Sequence, residues 1–165
     1  MVFDIGCIGN MADFFSTFGI HSLHGRCVPT AVGVKLARPD LTVLAVGGDG
    51  GIYGEGLGHL IAAARANYNV TTIVANNFLY SLTTGQTSPT TPKNSQTKST
   101  PLGNPNVPVD PTTLLKAANP EVLVNSLNGQ NLSEVTKTLQ SSIKHPGFSL
   151  LDLRQVCVTF GKQLL

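Results

Sequence analysis

The apolar, largely β-branched run at residues 41–46 leads straight into Gly47-Gly48-Asp49-Gly50-Gly51, and this junction constrains the fold more than any other feature. A continuous apolar run without polar alternation reads as a strand buried on both faces. Such a sheet needs helices on both sides, which selects an α/β architecture. The following residues agree. Residues 55–68 place Leu57, Leu60, Ile61, Ala64 and Tyr68 at helical spacing. Residues 70–75 form a second β-branched run that stops at Asn76-Asn77. The segment 41–77 is therefore predicted as strand, glycine loop, helix and strand, joined by a parallel crossover.

The flanking segments extend this alternation. Residues 1–23, rich in Gly and Phe, read as short and irregular. Residues 25–37 read as a helix with Pro29 in its first turn, ended by Pro39 and Asp40. Residues 80–108 are dense in Thr, Ser, Pro, Asn and Gly, and read as a long functional loop. Asp110 is a predicted N-cap with Pro111 behind it. A short strand at 121–124, a helix at 133–144 and a last strand at 148–153 complete the pattern. The expectation is one domain over 1–165, with a mostly parallel sheet flanked by helices.

The glycine loop suggests a ligand. In open parallel sheets, ligands sit beyond the carboxyl ends of the strands. Glycines let backbone N–H groups approach a phosphate, and the helix start behind them favours negative charge. Asp49 would be repelled by that phosphate unless a hard cation lay between them. Mg²⁺ takes oxygen ligands and joins protein carboxylates to substrate phosphates. Adjacent parallel strands end side by side, so Asn77 is expected to reach the same ion as Asp49.

Gly48-Asp49-Gly50 followed by Asn76-Asn77 resembles the Gly-Asp-Gly…Asn-Asn motif of thiamine diphosphate enzymes. The resemblance continues in Leu23-His24-Gly25-Arg26, in Tyr80-Ser81-Leu82-Thr83 and in Gly85-Gln86-Thr87-Ser88-Pro89-Thr90-Thr91. With Ile5-Gly6-Cys7 and Cys157-Val158-Thr159-Phe160, it is similar to the β subunit of 2-oxoacid:ferredoxin oxidoreductases. The family decarboxylates a 2-oxoacid on thiamine diphosphate, passing electrons to ferredoxin and the acyl group to coenzyme A. The fold it implies is the thiamine diphosphate-binding fold.

The resemblance also implies roles. Asp49, Asn77 and the Leu79 carbonyl would hold Mg²⁺. Gly48, Gly50 and Gly51 would wrap the diphosphate, with His24, Gly25 and Tyr80 beside the cofactor. His24, Arg26 and Thr84 would face the reacting substrate, and 80–91 would form a lid. Relatives that use 2-oxoglutarate commonly carry a lysine at the position of Thr84, so its loss leans towards a monocarboxylate substrate. Cys7 and Cys157 match two ligands of a [4Fe–4S] cluster, whose Cys-x-x-Cys pair would lie upstream. The chain therefore reads as incomplete relative to the family, and any cluster would be completed outside it. The acid that activates thiamine would come from a partner α-type subunit. Glu55 reads only as a helix residue, and Cys27 as a small buried one. The alternatives are a non-catalytic cofactor-binding scaffold and a cluster-free, non-oxidative thiamine-dependent decarboxylase.

Composition narrows the classes. A net charge of +2 argues against nucleic acid or an anionic membrane as partner. No apolar run approaches the roughly 18 residues of a membrane span. Residues 1–9 lack the basic and apolar regions of a signal peptide, which places the chain in the cytoplasm. Only 12% of residues are charged, against about 25% in typical domains, so part of the surface is expected to be buried against other subunits.

Overall fold

The computed structural model describes residues 1–161. Its core is a six-stranded sheet in the order β2-β1-β3-β4-β8-β7, with every neighbouring pair parallel. These strands are β1 (Val2–Phe3), β2 (Ile20–His21), β3 (Leu44–Gly48), β4 (Thr71–Asn76), β7 (Leu123–Asn128) and β8 (Ser149–Arg154). The helices are α1 (Cys27–Ala37), α2 (Leu57–Arg65), α3 (Pro111–Ala118) and α4 (Leu132–Lys144). A separate antiparallel pair, β5 (Leu79–Tyr80) and β6 (Gln86–Thr87), lies within the polar segment.

Side chains alternate across the strands and sort the layers. Ala45, Val74 and Leu150 share one core with Val28 and Ala31 of α1, Leu60 and Ala64 of α2, and Leu115 of α3. Each large side chain buried there contributes roughly 1.5–3 kcal/mol. Thr71 and Ser149 point to the other face, where both hydroxyls donate to the Ser142 carbonyl of α4. Pro29 stands in the first turn of α1, where its missing N–H removes no helical bond. Asp110 caps α3 by accepting from the Thr112 amide at 3.0 Å.

Four expectations need correction. Residues 1–23 are not simply irregular, because two-residue strands extend the sheet on either side of a 3-10 helix at Cys7–Phe14. Strands that short carry no readable period. The strand predicted at 41–46 lies at Leu44–Gly48, since Gly47 and Gly48 pair with Val74 and Ala75. Sheet pairing here overrides the low strand propensity of glycine. The helix predicted from 55 is preceded by a π-helical turn at Gly51–Glu55 and stops at Arg65. The strand predicted at 121–124 runs over Leu123–Asn128, and its polar Asn125, Ser126 and Asn128 hid it.

Among the described residues, no helix is long and apolar enough to cross a membrane. The N-terminal flank beside edge strand β2 exposes Phe14 (85%), Phe18 (97%) and Leu23 (77%).

Candidate functional site

β3 and β4 are adjacent and parallel, with Gly48 opposite Ala75, so Asp49 and Asn76-Asn77 emerge together. Asp49 is almost wholly buried. Its Oδ1 accepts the Asn77 amide at 3.3 Å, and its Oδ2 accepts the Thr90 hydroxyl at 2.9 Å. Burial pushes its carboxyl up to about 6, despite stabilising hydrogen bonds from Ser88, Thr90 and Asn77. The Asn-Asn pair builds the turn that follows. Asn76 Oδ1 accepts the Phe78 amide at 3.2 Å, and Asn77 Oδ1 accepts the Leu79 amide at 3.1 Å. These bonds support Phe78 at φ 65, a left-handed conformation that a bulky residue rarely adopts. Asn77 Oδ1 keeps a second lone pair for an ion.

A partly open cleft lies beside this turn. Gly48, Gly50, Gly51, Asn77, Leu79 and Tyr80 line it, and His24 flanks them. The glycines differ in why they are glycine. A Cβ on Gly50 would collide with the Tyr80 ring, and one on Gly51 with the Asp4 carboxyl. A Cβ on Gly48 would meet no protein atom nearer than the Ala75 carbonyl at 4.0 Å. Internal packing does not demand that glycine, and a Cβ there would take up space beside the cleft. A carboxylate, an amide oxygen and a main-chain carbonyl form an all-oxygen donor set that fits Mg²⁺.

The rim of the cleft holds residues that the sequence left unassigned. The π-helical turn brings Glu55 to 3.4 Å from His24 Nε2, and the Tyr80 hydroxyl lies 3.2 Å from Glu55 Oε2. The His24 and Tyr80 rings stand 6.1 Å apart. Burial and the Glu55 charge push the Tyr80 phenol up to about 12, so it serves as a hydrogen-bond donor. Below them Asp4 is fully buried; its Oδ1 accepts the amides of Ile5 and Gly25 at 2.9 and 2.8 Å. Gly25 has φ +70 and packs against Glu55, so the turn carrying His24 is held from both sides. No sequence period marks Asp4 or Glu55, because both act across the fold.

Arg26 and Thr84 lie outside the cleft lining. Arg26 is exposed, and its Nη1 donates to the carbonyls of Glu55 (3.0 Å) and Gly25 (3.1 Å). Thr84 adjoins Thr83, which does line the cleft, and its hydroxyl accepts the Lys98 ammonium at 2.6 Å. The Lys98 ammonium therefore stands beside position 84. Cys7 is exposed and lines the cleft, and Cys27 belongs to the core. Desolvation would raise the Cys157 thiol, but the nearby Ser81 hydroxyl and the backbone amides of Phe160, Thr159 and Gly161 outweigh it and lower the thiol. Among the described residues, no group of three or more His, Cys, Asp or Glu side chains could hold a metal.

The segment 80–108, read as a long loop whose residues 80–91 would form a lid, carries a dense set of hydroxyl contacts. Thr87, Thr97 and Thr100 bond one another at 2.6–3.0 Å. Asn104 donates to the Thr91 carbonyl at 2.8 Å, and Thr90 joins the segment to Asp49.

A glycine loop bearing a buried Asp at the carboxyl ends of adjacent parallel strands suits a diphosphate-binding domain, and comparison with known proteins identifies the class. Residues 4–153 match the family described as thiamine pyrophosphate enzyme, C-terminal TPP binding domain, and the chain belongs to that family. Several of its curated relatives are named as 2-oxoacid:ferredoxin oxidoreductase β subunits. It is 38% identical to the one from Sulfolobus sp over 98% of this chain and 53% of the relative. It is 39% identical to the 2-oxoglutarate oxidoreductase subunit KorB of Mycobacterium tuberculosis, over 95% of this chain and 42% of the relative. Among solved structures it is similar to a 2-oxoglutarate:ferredoxin oxidoreductase from Magnetococcus marinus. That likeness has a TM-score of 0.94 and 33% identity, and covers 98% of this chain and 55% of the other. The chain spans about half the length of the Sulfolobus relative it matches.

Proposed function

We propose that this chain is the thiamine diphosphate- and Mg²⁺-binding part of a 2-oxoacid:ferredoxin oxidoreductase β subunit. The observation that carries the reading is the Asp49 carboxylate beside Asn77, at the ends of two adjacent parallel strands, next to a cleft lined by Gly48 and Asn77. Asp49, Asn77 and the Leu79 carbonyl hold the metal. Gly48, Gly50 and Gly51 bring backbone amides to the diphosphate. His24 and Tyr80, set by Glu55, present polar atoms at the rim. Bound thiamine diphosphate supplies the carbanion chemistry of decarboxylation. Cys7 and Cys157 are at most part of an iron–sulfur site that needs further ligands.

Thr84 alone leaned towards a monocarboxylate. The Lys98 ammonium on its hydroxyl supports a dicarboxylate 2-oxoacid instead, with that cation beside the distal carboxylate. The names of the relatives from M. tuberculosis and M. marinus agree with this choice. An α-type subunit, ferredoxin and coenzyme A are the proposed partners. The exposed Phe14, Phe18 and Leu23 give a subunit a place to dock.

The test is turnover by the native complex with a panel of 2-oxoacids, following ferredoxin reduction and acyl-CoA formation. Mg²⁺-dependent activity highest on 2-oxoglutarate is expected. Higher activity on pyruvate would reject the dicarboxylate choice, and no turnover on any acid would reject the whole assignment.

A further inference from the structure

The sheet interior holds a carboxylate that the anchor does not use directly. Asp152 of β8 is buried, in register between Val74 of β4 and Ser126 of β7. A buried carboxylate is costly unless donors surround it. Tyr53 of the π-helical turn donates to its Oδ2 at 2.6 Å, and the Asn76 amide lies 3.1 and 3.3 Å from its two oxygens. Ser126 approaches at 3.5 Å.

The consequence falls on Asn76. An ionised carboxylate only accepts, so the NH₂ end of Asn76 must face it. The Asn76 amide oxygen then faces the site, where it accepts the Phe78 amide (3.2 Å) and stands 2.8 Å from the Thr90 hydroxyl, sharing its single proton with Asp49 Oδ2. Phe78 is the middle of the 77–79 turn, and the same Thr90 hydroxyl lies 2.9 Å from Asp49 Oδ2. A continuous path therefore runs Tyr53–Asp152–Asn76–Thr90–Asp49.

We propose that Asp152 is a positioning residue of the metal–diphosphate anchor, acting through Asn76 and Thr90 on Asp49 and the 77–79 turn. The inference rests on the anchor reading given above. An amide at 152 removes the constraint, because it offers both a donor and an acceptor. Asn76 can then turn over and set its NH₂ against the Phe78 amide, donor against donor.

Calorimetry of thiamine diphosphate with Mg²⁺ tests this on the full-length protein in its native assembly. The variants are Asp152→Asn, Thr90→Val and the two combined, with melting of the cofactor-free proteins measured alongside. Each single change is expected to weaken affinity about tenfold, the worth of one lost hydrogen bond. Together they should lose far less than the hundredfold that independent effects would give. Unchanged affinity in Asp152→Asn, even with a lowered melting point, would overturn the proposal, as would a full hundredfold loss in the pair. Should Asp152→Asn fail to fold, Tyr53→Phe keeps the carboxylate and loosens it. About a threefold loss is expected there, and none would overturn the proposal. A wild-type protein that binds no cofactor would remove the anchor reading along with this inference, whereas normal wild-type binding with unaffected variants removes this inference alone.

Discussion

The anchor at 41–77 and the polar segment at 80–108 are built by opposite means. The anchor takes its geometry from backbone pairing: β3 and β4 lie in parallel register, and Asp49 and Asn77 follow from where those strands end. The polar segment has only the two-residue pair β5 and β6, and is held by hydroxyls such as Thr87, Thr97 and Thr100. The two meet at Thr90. A backbone-built site places its groups even without a ligand, whereas a hydroxyl-built loop depends on many weak contacts.

Removing the anchor is the sharpest way to break the comparison. Asp49→Ala should lower Mg²⁺-dependent affinity for thiamine diphosphate by more than about 100-fold, read by calorimetry. The polar segment should keep its amide protection, because its own contacts remain.

The next effect is pH dependence. Burial holds the Asp49 carboxyl at about 6 rather than 3.8. Between those values the folded chain keeps a proton that the unfolded chain has released. Stability without cofactor therefore falls as pH rises through this window, by about 3 kcal/mol. Asp49→Asn should remove that share, seen as a smaller loss in urea melts from pH 4 to pH 7. The comparison isolates Asp49 from Asp4 and Asp152, which burial also raises. Cofactor affinity should move the other way, strengthening as pH passes about 6 and the proton no longer competes with Mg²⁺. A pH-independent affinity would count against Asp49 as the metal ligand.

The smallest effect belongs to the polar segment. Thr97→Val should cost about 1 kcal/mol and speed amide exchange across 86–100. If exchange in 41–77 accelerated equally, the two regions would be one cooperative unit and the contrast would fail.

The strand–loop–helix–strand unit was legible because its signals are local. A β-branched run, a cluster of glycines and a helical period each announce themselves within a few residues. The edge strands β1 and β2 were not, since two residues carry no period and only the pairing of Phe3 with Val46 and His21 makes them strands. The polar composition of 80–108 announced a loop but not its hydroxyl network. Glu55 looked like a helix residue because nothing local reports a π-helical turn. Nor does any local signal place Lys98 beside Thr84, since the two are remote in sequence and adjacent only in space.

By itself, then, the sequence determined the parallel α/β architecture and the pairing of Asp49 with Asn77, because parallel strands of known direction must end side by side. Tertiary structure alone decided which groups surround that pair. Asp4, Glu55, Lys98 and Asp152 act through hydrogen bonds and charges that cross from one element to another. Such contacts depend on how the elements pack, and no stretch of sequence records that.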